Sequence, residues 1–82
     1  MRVELRFFGP AQEAAGSAHA FLELPARSKL AEAIRAARQA IPGLAAMDGA
    51  RMRYAVNAEY AGEETALQSG DVISFIPPVG GG

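Results

Sequence analysis

Polar and apolar residues alternate over residues 2–8: Val3, Leu5 and Phe7 fall on one side, Arg2, Glu4 and Arg6 on the other. A period of two marks a strand with one buried and one wet face. Phe8 breaks the rule by setting an aromatic ring on the polar side. Gly9-Pro10 then ends the strand, because proline brings no donor for a ladder. Residues 11–15 have the composition of one helical turn before Gly16, marginal by itself because one turn does not offset its nucleation. Residues 18–24 read as a second strand, with Ala20, Leu22 and Leu24 sharing a face and Pro25 closing it.

The period then changes. Leu30, Ala33, Ile34, Ala37 and Ile41 recur at helical spacing opposite Lys29, Glu32, Arg35, Arg38 and Gln39, so an amphipathic helix is expected from residue 29 to about residue 40. Ser28 is the expected N-cap and Pro42-Gly43 the expected stop. After the turn at Asp48-Gly49, residues 51–57 alternate again, with Met52, Tyr54 and Val56 inward because Arg51 and Arg53 occupy the other face. Asn57 suits a left-handed turn, and Tyr60-Ala61 a very short strand. Ser69-Gly70-Asp71 turns the chain into a last strand over residues 72–76, with Ile73 and Phe75 on one face.

Strand, strand, helix, strand, short strand, strand predicts a two-layer α+β domain: one main helix on one face of a mixed sheet of about five strands. The terminal strands have the lengths to lie side by side at the sheet's centre, which is the ubiquitin-like β-grasp arrangement. The domain is expected over residues 1–76, with residues 77–82 as a flexible, extended tail.

Composition narrows the chemistry. Eighty-two residues hold one small domain. Eight basic and nine acidic side chains are scattered to a net charge of −1, so no basic block draws in nucleic acid or an anionic membrane. The absence of cysteine excludes disulfides, thiolate zinc sites and a cysteine nucleophile. One histidine, His19, does not make a metal cluster, and no metal is expected. No apolar run approaches the ~20 residues of a membrane span, and the alternating N-terminus is unlike a signal peptide. A cytoplasmic location is expected.

Few side chains qualify for chemistry. His19 has the acid–base range of a general base, but its neighbours Ala20 and Leu22 own the inward parity, so it reads as solvent-facing. Glu63-Glu64 reads as a pair of solvated loop charges. Arg51 and Arg53 share a strand face, and stand equally as a contact for an acidic surface or phosphate and as ordinary exposed positions. Neither G-x-G-x-x-G nor a P-loop is present.

The end of the sequence is different. Pro77-Pro78-Val79-Gly80-Gly81-Gly82 follows the last strand directly. The two prolines favour an extended path, and glycines let a backbone enter a channel too narrow for any other residue. Drawn out, these six residues reach on the order of 20 Å. That suits a carboxylate delivered deep into another protein's active site.

The run from Phe75 and Ile76 through that ending, with Val56-Asn57, Gly70-Asp71 and the opening Leu5-Arg6-Phe7-Phe8, resembles the small subunits of molybdopterin synthase. These are sulfur carriers of the ubiquitin-like β-grasp superfamily, and the resemblance covers the whole chain. It implies that Gly82 carries the chemistry as adenylate and then thiocarboxylate. Pro77, Pro78, Val79, Gly80 and Gly81 would be inserted into the partner. It implies two partners: the synthase large subunit, and an adenylating enzyme of the ubiquitin-activating type that uses ATP. No cofactor is expected to reside on the chain. Phe8 and Ile76 are expected to share the sheet face that the partner covers. A carrier for thiamine, cysteine or tRNA thiolation, a ubiquitin-like modifier and a plain binding module are the alternatives.

Overall fold

The structure is a computed structural model that describes residues 1–78. Strand β1 (Arg2–Phe7) buries Val3, Leu5 and Phe7, each at most 1% exposed, as the alternation requires. It pairs antiparallel with β2 (His19–Glu23), Leu5 facing Ala20, and parallel with β5 (Val72–Ile76), Leu5 facing Ile73 and Phe7 facing Phe75. On the far side of β5 lie β3 (Arg53–Val56) and then β4 (Glu59–Tyr60), in the order β2-β1-β5-β3-β4. The two terminal strands therefore form the parallel centre of a mixed five-stranded sheet.

Three helices cover one face. α1 (Gly9–Ala15) starts with Pro10 in its first turn and ends at Gly16, whose φ of 76° lets its N–H donate back to the Gln12 carbonyl. α2 (Leu30–Ala40) buries Leu30, Ala33 and Ala37 against Val3, Leu5, Phe7, Ile73 and Phe75. The ring of Phe75 joins two others: Phe7 lies 5.2 Å away and tilted, Tyr54 5.2 Å away and edge-on. Such pairs contribute ~0.5–1.5 kcal/mol each beyond their burial.

Three local expectations are corrected. Ser28 does not cap α2: it is buried, and its hydroxyl donates to the Pro25 carbonyl at 2.7 Å. The chain turns through Arg27 at φ 68°, and Lys29 keeps extended backbone because it bridges to Ala66, so the helix begins one residue later. There the Glu32 carboxylate accepts the Lys29 N–H at 3.1 Å. Pro42-Gly43 ends α2 but not the helical structure, since α3 (Pro42–Ala45) follows at once. Gly43 is required for that packing, because a Cβ there would overlap the Ala14 carbonyl oxygen of α1. The third correction is to the short strand, which comprises Glu59–Tyr60 rather than Tyr60-Ala61.

Candidate functional site

The register of β1 on β5 decides what the helix-free face carries. Phe7 faces Phe75 in the core, so Ile76, next along β5, takes the opposite side, and Phe8, which follows β1 in extended backbone as the N-cap of α1, takes that side by parity. Phe8 remains 48% exposed and Ile76 partly so. Pro77 follows Ile76 and packs beside the start of α1: its Cγ lies 3.8 Å from where a Gly9 Cβ would stand. Pro78 is exposed. Val79, Gly80, Gly81 and Gly82 lie outside the described residues.

Two further aromatics share this face. Phe21 of β2 is 54% exposed and Tyr60 of β4 is 70% exposed. Register puts Phe21 opposite Glu4 and Tyr60 opposite Ala55. The sequence pattern singled out neither as an exposed aromatic of this face, although Phe21 breaks the polar parity of its strand just as Phe8 does. Each ring carries a cation: the Arg2 guanidinium stands 4.3 Å above Phe21, and that of Arg53 5.8 Å from the Tyr60 centroid. Arg6 pairs with Glu4 at 2.8 Å on the same face. The face thus mixes apolar rings with arginines, the composition of a protein-binding surface.

Side-chain catalysis finds no constellation among the described residues. His19 is exposed and stacks edge-on against Phe21 at 6.2 Å, with only the Ser17 hydroxyl at its backbone: that group accepts the His19 N–H and donates to its carbonyl. Glu64 accepts from Lys29 at 3.2 Å in an exposed ion pair. No three His, Asp or Glu side chains gather among the described residues to hold a metal. Burial pushes the Tyr54 hydroxyl above its ordinary pKa, the nearby Arg38 charge partly opposing and Glu63 adding to the shift. Its ring is partly buried and packs against the core, edge-on to Phe75. No helix among the described residues is long and apolar enough to cross a membrane. What the arrangement offers is a platform: an aromatic sheet face beside a central strand that leads straight into Pro77-Pro78.

A mixed five-stranded sheet wrapped on an amphipathic helix, with parallel terminal strands at its centre, defines a ubiquitin-like β-grasp protein. Residues 5–82 match the ThiS family, and the chain belongs to that family of ubiquitin-like sulfur carriers. It is similar to SAMP1 of Haloferax volcanii, at 26% identity and a TM-score of 0.91, with both chains covered in full. It is also similar to a chain in the complex of subunits 1 and 2 of the molybdopterin-converting factor from Helicobacter pylori, at 36% identity and a TM-score of 0.71, again with both covered in full. A third relative, the HVO 2177 protein of Haloferax volcanii, is 29% identical with a TM-score of 0.82, matching all of this chain and 87% of the other.

Proposed function

We propose that this chain is the sulfur-carrying small subunit of a molybdopterin synthase, acting in the cytoplasm. The observation that carries the reading is its 36% identity, over both full lengths, to a chain of the two-subunit Helicobacter pylori complex. The central position of β5 supports it as well, since the strand that leads into the tail is held on both edges by β1 and β3.

The reactive group in this reading is the Gly82 carboxylate. A carboxylate is a poor acyl donor, because its charge and resonance repel nucleophiles. An activating enzyme of the ubiquitin-activating type would join it to AMP from ATP, releasing pyrophosphate. The terminal sulfur of a persulfide donor then displaces AMP, and a thiol cleaves the resulting S–S bond to leave a thiocarboxylate. Within the synthase, the large subunit covers Phe8 and Ile76 and takes up Pro77, Pro78, Val79, Gly80 and Gly81, so that the thiocarboxylate meets a pterin precursor. The carrier's own contribution is positioning. The domain then ends at residue 76, and residues 77–82 act as the delivered arm.

Similarity to a small archaeal modifier protein favours one second reading, in which Gly82 is joined to lysines of target proteins. The test is the intact mass of the protein after incubation with an activating enzyme, ATP and a sulfur donor. One oxygen-to-sulfur exchange located on Gly82, lost when Gly82 is deleted while the melting temperature is unchanged, is the expected result. Transfer to pterin precursor with the large subunit separates the synthase from other sulfur pathways. Lysine-linked adducts without sulfur exchange would establish the modifier instead.

A further inference from the structure

Beside the start of the tail lies an open groove of about 610 Å³, with Arg51, Met52, Arg53, Tyr60, Ile76 and Pro77 among its walls. Both arginines are exposed, and neither pairs with a carboxylate among the described residues, where the ion pairs are Arg6 with Glu4 and Lys29 with Glu64. Among the described residues no acidic side chain lines the groove. Asp48, close by in sequence, already accepts the Ala50 N–H at 2.9 Å, and Glu59 has the opposite strand parity to Tyr60. Arg53 is positioned twice over: its backbone is in register with Ile76, and its guanidinium stands 5.8 Å from the Tyr60 centroid.

We propose that this groove binds an extended, Asp- or Glu-bearing segment of the protein that receives the tail. The inference rests on the reading that the tail is received by a partner, and it adds which chemistry on that partner is recognised. Two unpaired guanidinium groups offer forked donors to carboxylates, while Met52, Ile76 and Pro77 offer apolar wall for the methylenes behind them. A nucleotide fits less well, since neither G-x-G-x-x-G nor a P-loop is present to cradle its phosphates.

The test is an NMR titration of the full-length protein with an acetylated tetraglutamate peptide, and separately with ATP and with pyrophosphate. The peptide is expected to move the Arg51 and Arg53 Nε–Hε signals and the Tyr60 amide, and the Tyr60 shift should vanish in Arg51→Gln/Arg53→Gln. Both positions are exposed, so the variant should keep the dispersed spectrum of the folded protein. The same variant should bind purified synthase large subunit at least tenfold more weakly, with a shallower salt dependence. Peptide shifts that fall elsewhere or survive in the variant overturn the proposal, as does ATP or pyrophosphate moving these signals more strongly than the peptide. No sulfur chemistry enters the titration. A responsive groove with no oxygen-to-sulfur exchange at Gly82 would remove the carrier reading alone, and exchange with an unresponsive groove would remove this inference alone.

Discussion

Asn57 and Asp71 join the turn after β3 to the entry of β5: the Asn57 Nδ2 donates to Asp71 Oδ1 at 2.8 Å. The Asn57 Oδ1 accepts the Val72 N–H, and the other Asp71 oxygen accepts the Gln68 N–H. Asn57 itself sits at φ 52°, a conformation its short polar side chain tolerates. The pair thus sets the start of the strand that ends at the tail. Asp71→Ala removes both carboxylate bonds, and should cost about 1–2 kcal/mol because the site is solvent-accessible. Urea denaturation checks it; an unchanged midpoint would show that the clamp follows from the strand pairing and does not support it.

Gly43→Ala should be costly and Gly62→Ala nearly silent. A Cβ at Gly43 overlaps the Ala14 carbonyl, a backbone atom that yields only if α1 and α3 move apart. Overpacking of this kind costs ~1–3 kcal/mol. At Gly62 a Cβ meets open space, so the change should stay within about 0.5 kcal/mol. Thermal melts of the two variants side by side make the comparison.

On the proposed reading, Phe8→Asp with Ile76→Asp should leave a folded protein that binds the synthase large subunit more weakly. Both residues already contact neighbours, so only about half of a large side chain's ~1.5–3 kcal/mol remains to be gained at each. Their joint loss, roughly 1.5–3 kcal/mol, weakens binding about 10- to 100-fold. Calorimetric titration with the large subunit measures it. Normal binding by the folded double variant would exclude this face.

Stability should fall in alkali through Tyr54. Its pKa is raised above 10.0 in the folded protein, first by burial, so the folded state holds a proton that the unfolded chain loses. The stabilisation is complete below pH 10 and declines as pH rises through the folded value. Tyr54→Phe should remove that part of the decline, seen as a flatter denaturation midpoint above about pH 10. Parallel curves for the two proteins would count against it.

The strands were legible because one face of each is buried, which makes parity a strong signal. The same parity revealed Phe8, and would have revealed Phe21 had it been applied to β2. Other features depend on contacts that no local period encodes. α3 is four residues long, too short to show a helical repeat, and Pro42-Gly43 read as a stop. Ser28 lost its capping role to a bridge between Lys29 and Ala66, far apart in sequence. Ala55, on the wet parity of β3, is only 5% exposed because its register sets it between Ser74 and Tyr60. The groove needs that same β3–β5 register to bring Arg53 beside Pro77, and periodicity alone does not supply a register.

β5 is the last strand in the sequence, yet it lies between β1 and β3. Its pairing with β1 closes a loop of about 70 residues, at an entropic cost of roughly 4 kcal/mol that local contacts cannot offset early in folding. An emerging or partly unfolded chain therefore lacks the sheet face that carries Phe8 and Ile76, whatever its C-terminal residues. A partner that reads this face before accepting the terminus would be proofreading: it would admit finished carriers and refuse immature ones, with no dedicated checkpoint.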